Sequence, residues 1–372
     1  MTLETTLDWV TKDWTALLRL LPKGWREKAK ELGALLRLRK IGSADELLRL
    51  LLLHVGHGVS LRQAVARAEH WGLPKISDVA LFKRMRQSGA WLRWMCEELA
   101  EEMGGRSRWE VPGSQLRMIA VDGSDIVEPG ATGSSWKLHY AIELPGLMCT
   151  HAEVTERSVG ESLCRYPVKS GDLFTGDRGF CREGQVKHVL ENGGHVLLRW
   201  HSTSMPLYRP GRKKALDVLG WLRKKAGGEG AQVDVRTKGG IALRLCALAV
   251  DERVAERERA KVRESARKQG RPPSAQSLEL AGYIVLVTSL PAGEFGKERV
   301  FPLYRLRWQI ELAFKRLKSL LEAGHVPKTD PASARAWMQA KMLTCLLIEK
   351  LLVESEVFSP WGFPLPGEQP LG

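Results

Sequence analysis

Residues 304–311 read Tyr304-Arg305-Leu306-Arg307-Trp308-Gln309-Ile310-Glu311, and the chain runs on through Phe314 to Lys318. On a helix turning about 100° per residue, Arg307, Glu311 and Lys318 fall at roughly 300°, 340° and 320° from Tyr304, within an arc of about 60°. Leu306, Ile310, Phe314 and Leu317 form an adjacent apolar stripe at roughly 200° to 280°. The spacing predicts one helix with a face for burial and, beside it, a row of one phenol, two cations and one carboxylate. Such a row is ordinarily a solvated face with weak ion pairs. A carboxylate flanked by cations also suits a metal ion and a polyanion bound side by side, so the rest of the chain must decide.

The chain has 372 residues, enough for two or three domains with sizeable cores. Lysine and arginine outnumber the acids 57 to 43, a net charge of +14. That excess calls for an acidic partner, and nucleic acid is the commonest one. A membrane is not expected: no apolar run reaches the 18 or so residues needed to span a bilayer, and the mixed, acidic N-terminus lacks the pattern of a secretion signal. The chain reads as soluble and intracellular. The six cysteines (96, 149, 164, 181, 246, 345) are scattered, without zinc spacing, and read as reduced, mostly buried thiols.

The chain falls into five stretches. Residues 1–110 read as helices. Ser60 is placed to cap one helix and Ser77 with Asp78 a second, basic one carrying Lys83, Arg84 and Arg86, compatible with a helix-turn-helix reader of DNA. Residues 111–201 change period: Leu116 to Val127, Lys137 to Glu143, Met148 to Thr155, Leu173 to Gly176 and His195 to Trp200 are strand-like, with a helix over Arg182 to Asn192. A mixed α/β sheet is expected. Residues 202–281 are basic and partly β (Val233 to Arg236, Ile241 to Val250), with Val254 to Gly270 read as a mobile basic loop. Residues 282–325 resume the sheet at Tyr283 and carry the helix of Glu311. Residues 326–372 read as a helical hairpin, Ala332 to Glu354, and a Pro/Gly-rich tail.

Three acids stand where a sheet could gather them. Asp122 ends the apolar run Met118-Ile119-Ala120-Val121; alternation puts Asp122 and Ser124 on one face and Asp125 on the other. Asp177 follows Leu173-Phe174-Thr175-Gly176 and precedes Arg178-Gly179-Phe180, at the carboxyl end of a strand, a common functional position in α/β folds. Asp172, before that strand, is the weaker candidate. Glu311 is the third. Phosphoryl transfer on DNA needs carboxylates that hold two divalent ions about 3.5–4 Å apart. Singly each acid is an ordinary surface, turn or cap residue; one on each of two strands and one on a helix make a set.

This set resembles the catalytic triad of DDE transposases of the insertion-sequence-4 type. Their signature of Tyr, two residues, Arg, three residues, Glu, six residues and Lys is matched without a gap by Tyr304, Arg307, Glu311 and Lys318. Val121-Asp122-Gly123-Ser124 resembles the first-aspartate motif and Gly176-Asp177-Arg178-Gly179-Phe180 the second. The resemblance implies a ribonuclease-H-like mixed sheet with a β-rich insertion between the second aspartate and the glutamate, and helical regions at both ends. It implies that Asp122, Asp177 and Glu311 bind two Mg²⁺ ions, with Mn²⁺ able to substitute, and that Tyr304, Arg307, Lys318 and, less strongly, Arg178 contact DNA. It further implies cut-and-paste transposition on double-stranded terminal repeats and target DNA, a homodimer in the DNA complex, and a bacterial cytoplasmic, nucleoid-associated location. The alternatives are a ribonuclease-H-like structure-specific nuclease and a domesticated DNA-binding protein without chemistry. In relatives an aromatic residue of the insertion stacks on a flipped base; Trp200 and Trp221 are nearby, but neither lies in a matching motif.

Overall fold

Alternation along Met118–Val121 sends Met118 and Ala120 into one core and Ile119 and Val121 into another, as a strand buried on both faces requires. In the computed structural model this strand is β1 (Arg117–Val127), near the middle of an eight-stranded sheet. The structure describes residues 14–56, 58–104, 111, 114–127, 134–144, 148–225, 230–320, 326 and 330–356; the side chains at 104, 127, 134–135, 316–320 and 352–356 lie outside that description.

The other strands are β2 (Ser134–Leu144), β3 (Met148–Glu156), β4 (Asp172–Gly176), β5 (His195–Arg199), β6 (Ala231–Arg236), β7 (Ala242–Ala249) and β8 (Tyr283–Thr288). Their order across the sheet is β3-β2-β1-β4-β5-β8-β7-β6. β1, β2 and β3 form an antiparallel meander, whereas β4 and β5 join β1 in parallel. This is the mixed, ribonuclease-H-like arrangement expected. β8 returns antiparallel to β5, and β7 and β6 extend the sheet beyond it. The insertion's strands therefore lengthen the same sheet.

Helices cover both faces. Residues 14–20 are helical (α1) and are followed by α2 (Trp25–Glu31), α3 (Ala44–Gly56), α4 (Leu61–His70), α5 (Asp78–Gln87) and α6 (Gly89–Gly104). Ser60 closes a capping box with Gln63, and Ser77 accepts the amide of Ala80, as the sequence predicts. The C-terminal region departs from expectation. Pro331–Glu356 is one 26-residue helix, α13, where a hairpin is expected; between Ala332 and Glu356 there is no Gly or Pro to break it. α13 packs on α3, α5 and α6, and the buried Lys350 donates to the Leu20 carbonyl at 2.8 Å and to Glu102 at 2.7 Å. These helices and one sheet face share a core; α7 (Glu183–Glu191) and α8 (Val218–Lys225) help to close the other.

The second departure lies in the insertion. Glu252–Lys268 is α9, a 17-residue helix, not a loop. Asp251 caps it by accepting the Val254 amide, and Lys261–Glu258, Arg263–Glu256 and Lys268–Glu264 pair along its exposed surface. Acids and bases recur one or two turns apart, which supports a helix with little apolar content; Ala255 and Ala266 are its buried residues. α10 (Ala275–Leu280) packs against it and leads back to β8.

Candidate active site

The parallel pairing of β1 with β4 sets the geometry. Arg117 lies opposite Asp172, and each later pair to Ala120 and Thr175 keeps the offset of 55 residues. Carried two residues further, the same offset sets Asp122, in the middle of β1, beside Asp177, the first residue after β4, and the two carboxylates are close enough to repel. Continuing the β4–β5 register past Gly176 and Leu198 likewise sets Arg199 beside Asp177. Asp125 falls on the opposite face, where it meets Lys137 at 3.7 Å and Arg157 at 4.0 Å. Asp172 is buried and held by the Arg117 guanidinium through two bonds, at 2.8 and 3.0 Å, and so is structural.

Both aspartates are fixed by backbone. Asp122 Oδ1 accepts the Gly123 amide at 2.8 Å; Asp177 Oδ1 accepts the Gly179 amide at 2.7 Å and caps the short 3₁₀ turn Arg178–Phe180. Burial pushes the Asp122 carboxyl up to about 6; Asp177 and Glu161 push the same way, while the Gly123 amide and Arg307 oppose. The site therefore favours an added positive charge.

The helix expected through Tyr304 and Glu311 is two helices. α11 (Lys297–Leu306) ends at Arg307, and α12 starts at Gln309 and runs to Leu320. Between them Arg307, Trp308, Ile310 and Glu311 each donate to the carbonyl three residues back. A 3₁₀ turn thus replaces the α spacing, a form often found at functional hinges. The turn points Arg307 into the site and sets α12 over β1 and β2. Tyr304 reaches the other way: its hydroxyl donates to the Gly176 carbonyl at 3.5 Å, and its ring lies 5.8 Å from the Arg307 guanidinium.

Arg307 is the hub. Burial works against its charge, but Tyr304, Asp122, Asp177 and Glu311 together raise its pKa. Its Nε is buried without an acceptor among the described residues, and its Nη2 lies 3.5 Å from Glu311 Oε1. The Glu311 side chain is 65% exposed. The structure thus brings Asp122, Asp177 and Arg307 together and leaves Glu311 on the outer side of the guanidinium. Among the described residues no three acids, histidines or cysteines form a ready metal-ligand group. Lys318 lies on α12, its side chain outside the description.

A cleft of about 420 Å³ opens beside Asp177, lined by Arg178, Arg199, Glu258, Lys261, Tyr304 and Arg307. Arg178 is exposed at its rim. Sequence reasoning missed Arg199, whose signal is a cation ending the apolar strand His195–Arg199, and Lys261, which only the folding of α9 brings here. It also missed Glu161, discussed below. Trp200 and Trp221 are buried, and Trp200 Nε1 donates to the Met205 carbonyl at 2.9 Å, so both serve as core. The N-terminal basic helix is partly committed as well: Arg84 donates to the Ala34 and Arg37 carbonyls, and Arg86 pairs with Asp330. All six cysteines are free and five are buried. No helix among the described residues is long and apolar enough to cross a membrane.

Comparison with known proteins places the chain in a family. The family described as Transposase DDE domain matches residues 114–348. The chain is 32% identical over 359 residues to the InsL protein for insertion sequence element IS186A of Escherichia coli (strain K12), covering 94% of this chain and 96% of that protein. It is 32% identical over 360 residues, with the same coverage, to the transposase for insertion sequence element IS421 of Escherichia coli. A shorter match, 33% over 87 residues, joins it to the transposase for insertion sequence element IS231F of Bacillus thuringiensis subsp. israelensis. The chain belongs to the DDE transposase family.

Proposed function

We propose that this transposase works by cut-and-paste, with Asp122, Asp177 and Glu311 as its catalytic acids. The observation that carries this reading is the pair of neighbouring carboxylates, Asp122 on β1 and Asp177 just past β4, with the Arg307 guanidinium interacting with both and with Glu311. The donor set fits a hard divalent cation: it offers carboxylate oxygens, and one of them, on Asp122, is held at a raised pKa by burial and like charge. Mg²⁺ is the expected ion, two per site, with Mn²⁺ as substitute. Bound there, the ions would activate the attacking oxygen and stabilise the leaving 3′-oxygen.

The chain's own residues supply the rest. Arg307 offsets part of the charge of Asp122 and Asp177. Glu311 would complete the set of acids that holds the ions, and Arg307 would hold a phosphate. Arg178 at the rim and Lys318 further along α12 are proposed to grip the same DNA backbone, with Tyr304 packed against Arg307 beside it. The helices of residues 1–110 are proposed to read terminal inverted repeats, with Lys83 exposed on α5 as a candidate contact. The +14 charge supports DNA as partner, both element ends and target. Two ends must be brought together, so we propose a homodimer in the DNA complex, acting on nucleoid DNA in the bacterial cytoplasm.

The test is a supercoiled plasmid carrying the gene with its native flanks, incubated with protein and Mg²⁺. Paired cuts at inverted repeats are expected, with Glu311→Gln binding the ends but not cutting. Cutting by Glu311→Gln would remove Glu311 from the catalytic set. Cuts at branched DNA without paired ends would favour a structure-specific nuclease.

A further inference from the structure

Glu161, in the connection between β3 and β4, lies behind the two aspartates. Its backbone is pinned by the buried Gln185 of α7, which donates to the Glu161 carbonyl at 3.3 Å and accepts the Leu163 amide at 3.1 Å. Its carboxylate lies where side chains of two glycines would begin. A Cβ on Gly123 would run into Oε1, and one on Gly179 would sit 2.7 Å from Oε2. These are the two glycines whose amides hold the Asp122 and Asp177 carboxylates. One side chain thus braces both corners that present the acids.

An apolar side chain would pack there at lower cost, because a mostly buried carboxylate beside two aspartates adds like charge and needs a partner. Lys137 of β2 is that partner, with Nζ 3.2 Å from Glu161 Oε1 and 3.7 Å from Asp125 Oδ1. A charge placed at such local cost beside two carboxylates points to a role in holding a cation.

We infer that Glu161 is a positioning residue of this active site: it braces the glycine corners of Asp122 and Asp177 and, balanced by Lys137, adds a third negative charge that strengthens divalent-cation binding without ligating the ion. The inference rests on the reading that Asp122 and Asp177 hold the cation. Carboxylates that support metal ligands from behind typically change affinity or activity by about 10–100-fold when removed.

The experiment titrates the metal-free full chain with Mn²⁺ alone, reading the free ion by electron paramagnetic resonance, with thermal melts in EDTA on the same samples. Glu161→Gln keeps the shape and the hydrogen bond to Lys137 but loses the charge. It should weaken Mn²⁺ binding about tenfold while leaving the metal-free melting temperature unchanged or raised; a merely structural residue would lower it. Lys137→Met, which leaves Glu161 unbalanced, should tighten Mn²⁺ binding, in the opposite direction. Wild-type Mn²⁺ affinity in Glu161→Gln overturns the inference, as does failure of Lys137→Met to tighten it. Loss as complete as in Asp122→Asn overturns it too, by making Glu161 a direct ligand. Intact Mn²⁺ binding in Asp122→Asn is a separate result: it would overturn the reading of the site itself.

Discussion

The two aspartates and the glutamate of this site are held in opposite ways. Asp122 rides on β1 and Asp177 follows directly on β4, its parallel neighbour, and each carboxylate is tied to a glycine amide one or two residues on. Glu311 rides on a helix laid over the sheet after a 3₁₀ turn, mostly exposed and turned toward Arg307. The strand pair is preorganised and short of positive charge. The glutamate is the adjustable member, whose position depends on where Arg307 goes.

The largest effect expected is on chemistry. Asp122→Asn or Asp177→Asn should reduce single-turnover cleavage of end DNA by at least roughly a thousandfold, because each carboxylate holds charge that the transition state needs. The contrast with Glu311 shows in cation binding. Without DNA, Asp122→Asn should abolish Mn²⁺ binding, whereas Glu311→Gln should keep most of it, since the strand pair alone is preformed. Equal loss in both variants would erase the distinction between a fixed pair and a movable third ligand.

The next effect is on stability. The Asp122 carboxyl lies near 6 in the fold against an ordinary value of 3.8, so between those values the folded state binds the proton more tightly than the unfolded chain. Its charge therefore costs nothing below pH 3.8, costs more as pH rises through the window, and carries its full cost above about 6. In EDTA at pH 7.5, Asp122→Asn should stabilise the protein by up to about 3 kcal/mol, a gain that disappears in acid. Glu311→Gln, on an exposed side chain, should change stability by no more than about 0.5 kcal/mol. Denaturant unfolding at the two pH values measures both. A less stable Asp122→Asn at pH 7.5 would mean that Arg307 more than compensates the buried carboxylate, and the site would not be short of charge.

Much of this was legible in the chain because the decisive signals are local. The alternation of Met118 to Val121 placed Asp122 on the face opposite Asp125, and the apolar run Leu173 to Gly176 placed Asp177 at a strand end. What stayed hidden depends on partners distant in sequence. Glu161 is an unremarked acid in a loop until one glycine of β1 and one of the 3₁₀ turn after β4 leave room for it. Lys261 reaches the cleft only because ion pairs and the Asp251 cap make a helix of a run that composition suggested was a loop. Arg84 and Arg86 look like free cations of a DNA-reading helix, but α5 packs under α13 and turns both onto protein acceptors. The break at Arg307 was hidden for another reason: a 3₁₀ turn and an α turn draw on the same residues, and only the hydrogen-bond pattern separates them.

That break gives the smallest and most discriminating effect. The Tyr304 hydroxyl reaches from α11 to the carbonyl of Gly176, the residue before Asp177, at the long end of hydrogen-bond range. It is the link between the movable helix segment and the fixed strand end. Tyr304→Phe keeps the ring beside Arg307 and removes the hydroxyl's contacts with Gly176 and Arg307, so it should lower stability by about 1 kcal/mol or less. End-DNA affinity should stay within about twofold, with cleavage reduced a few-fold as the helix loses its reference to Asp177. Filter binding and single-turnover cleavage on the same preparation separate these quantities. Reduced affinity with unchanged stability would place the hydroxyl on the DNA instead, and the two halves of the site would then be coupled through the substrate and not through the protein.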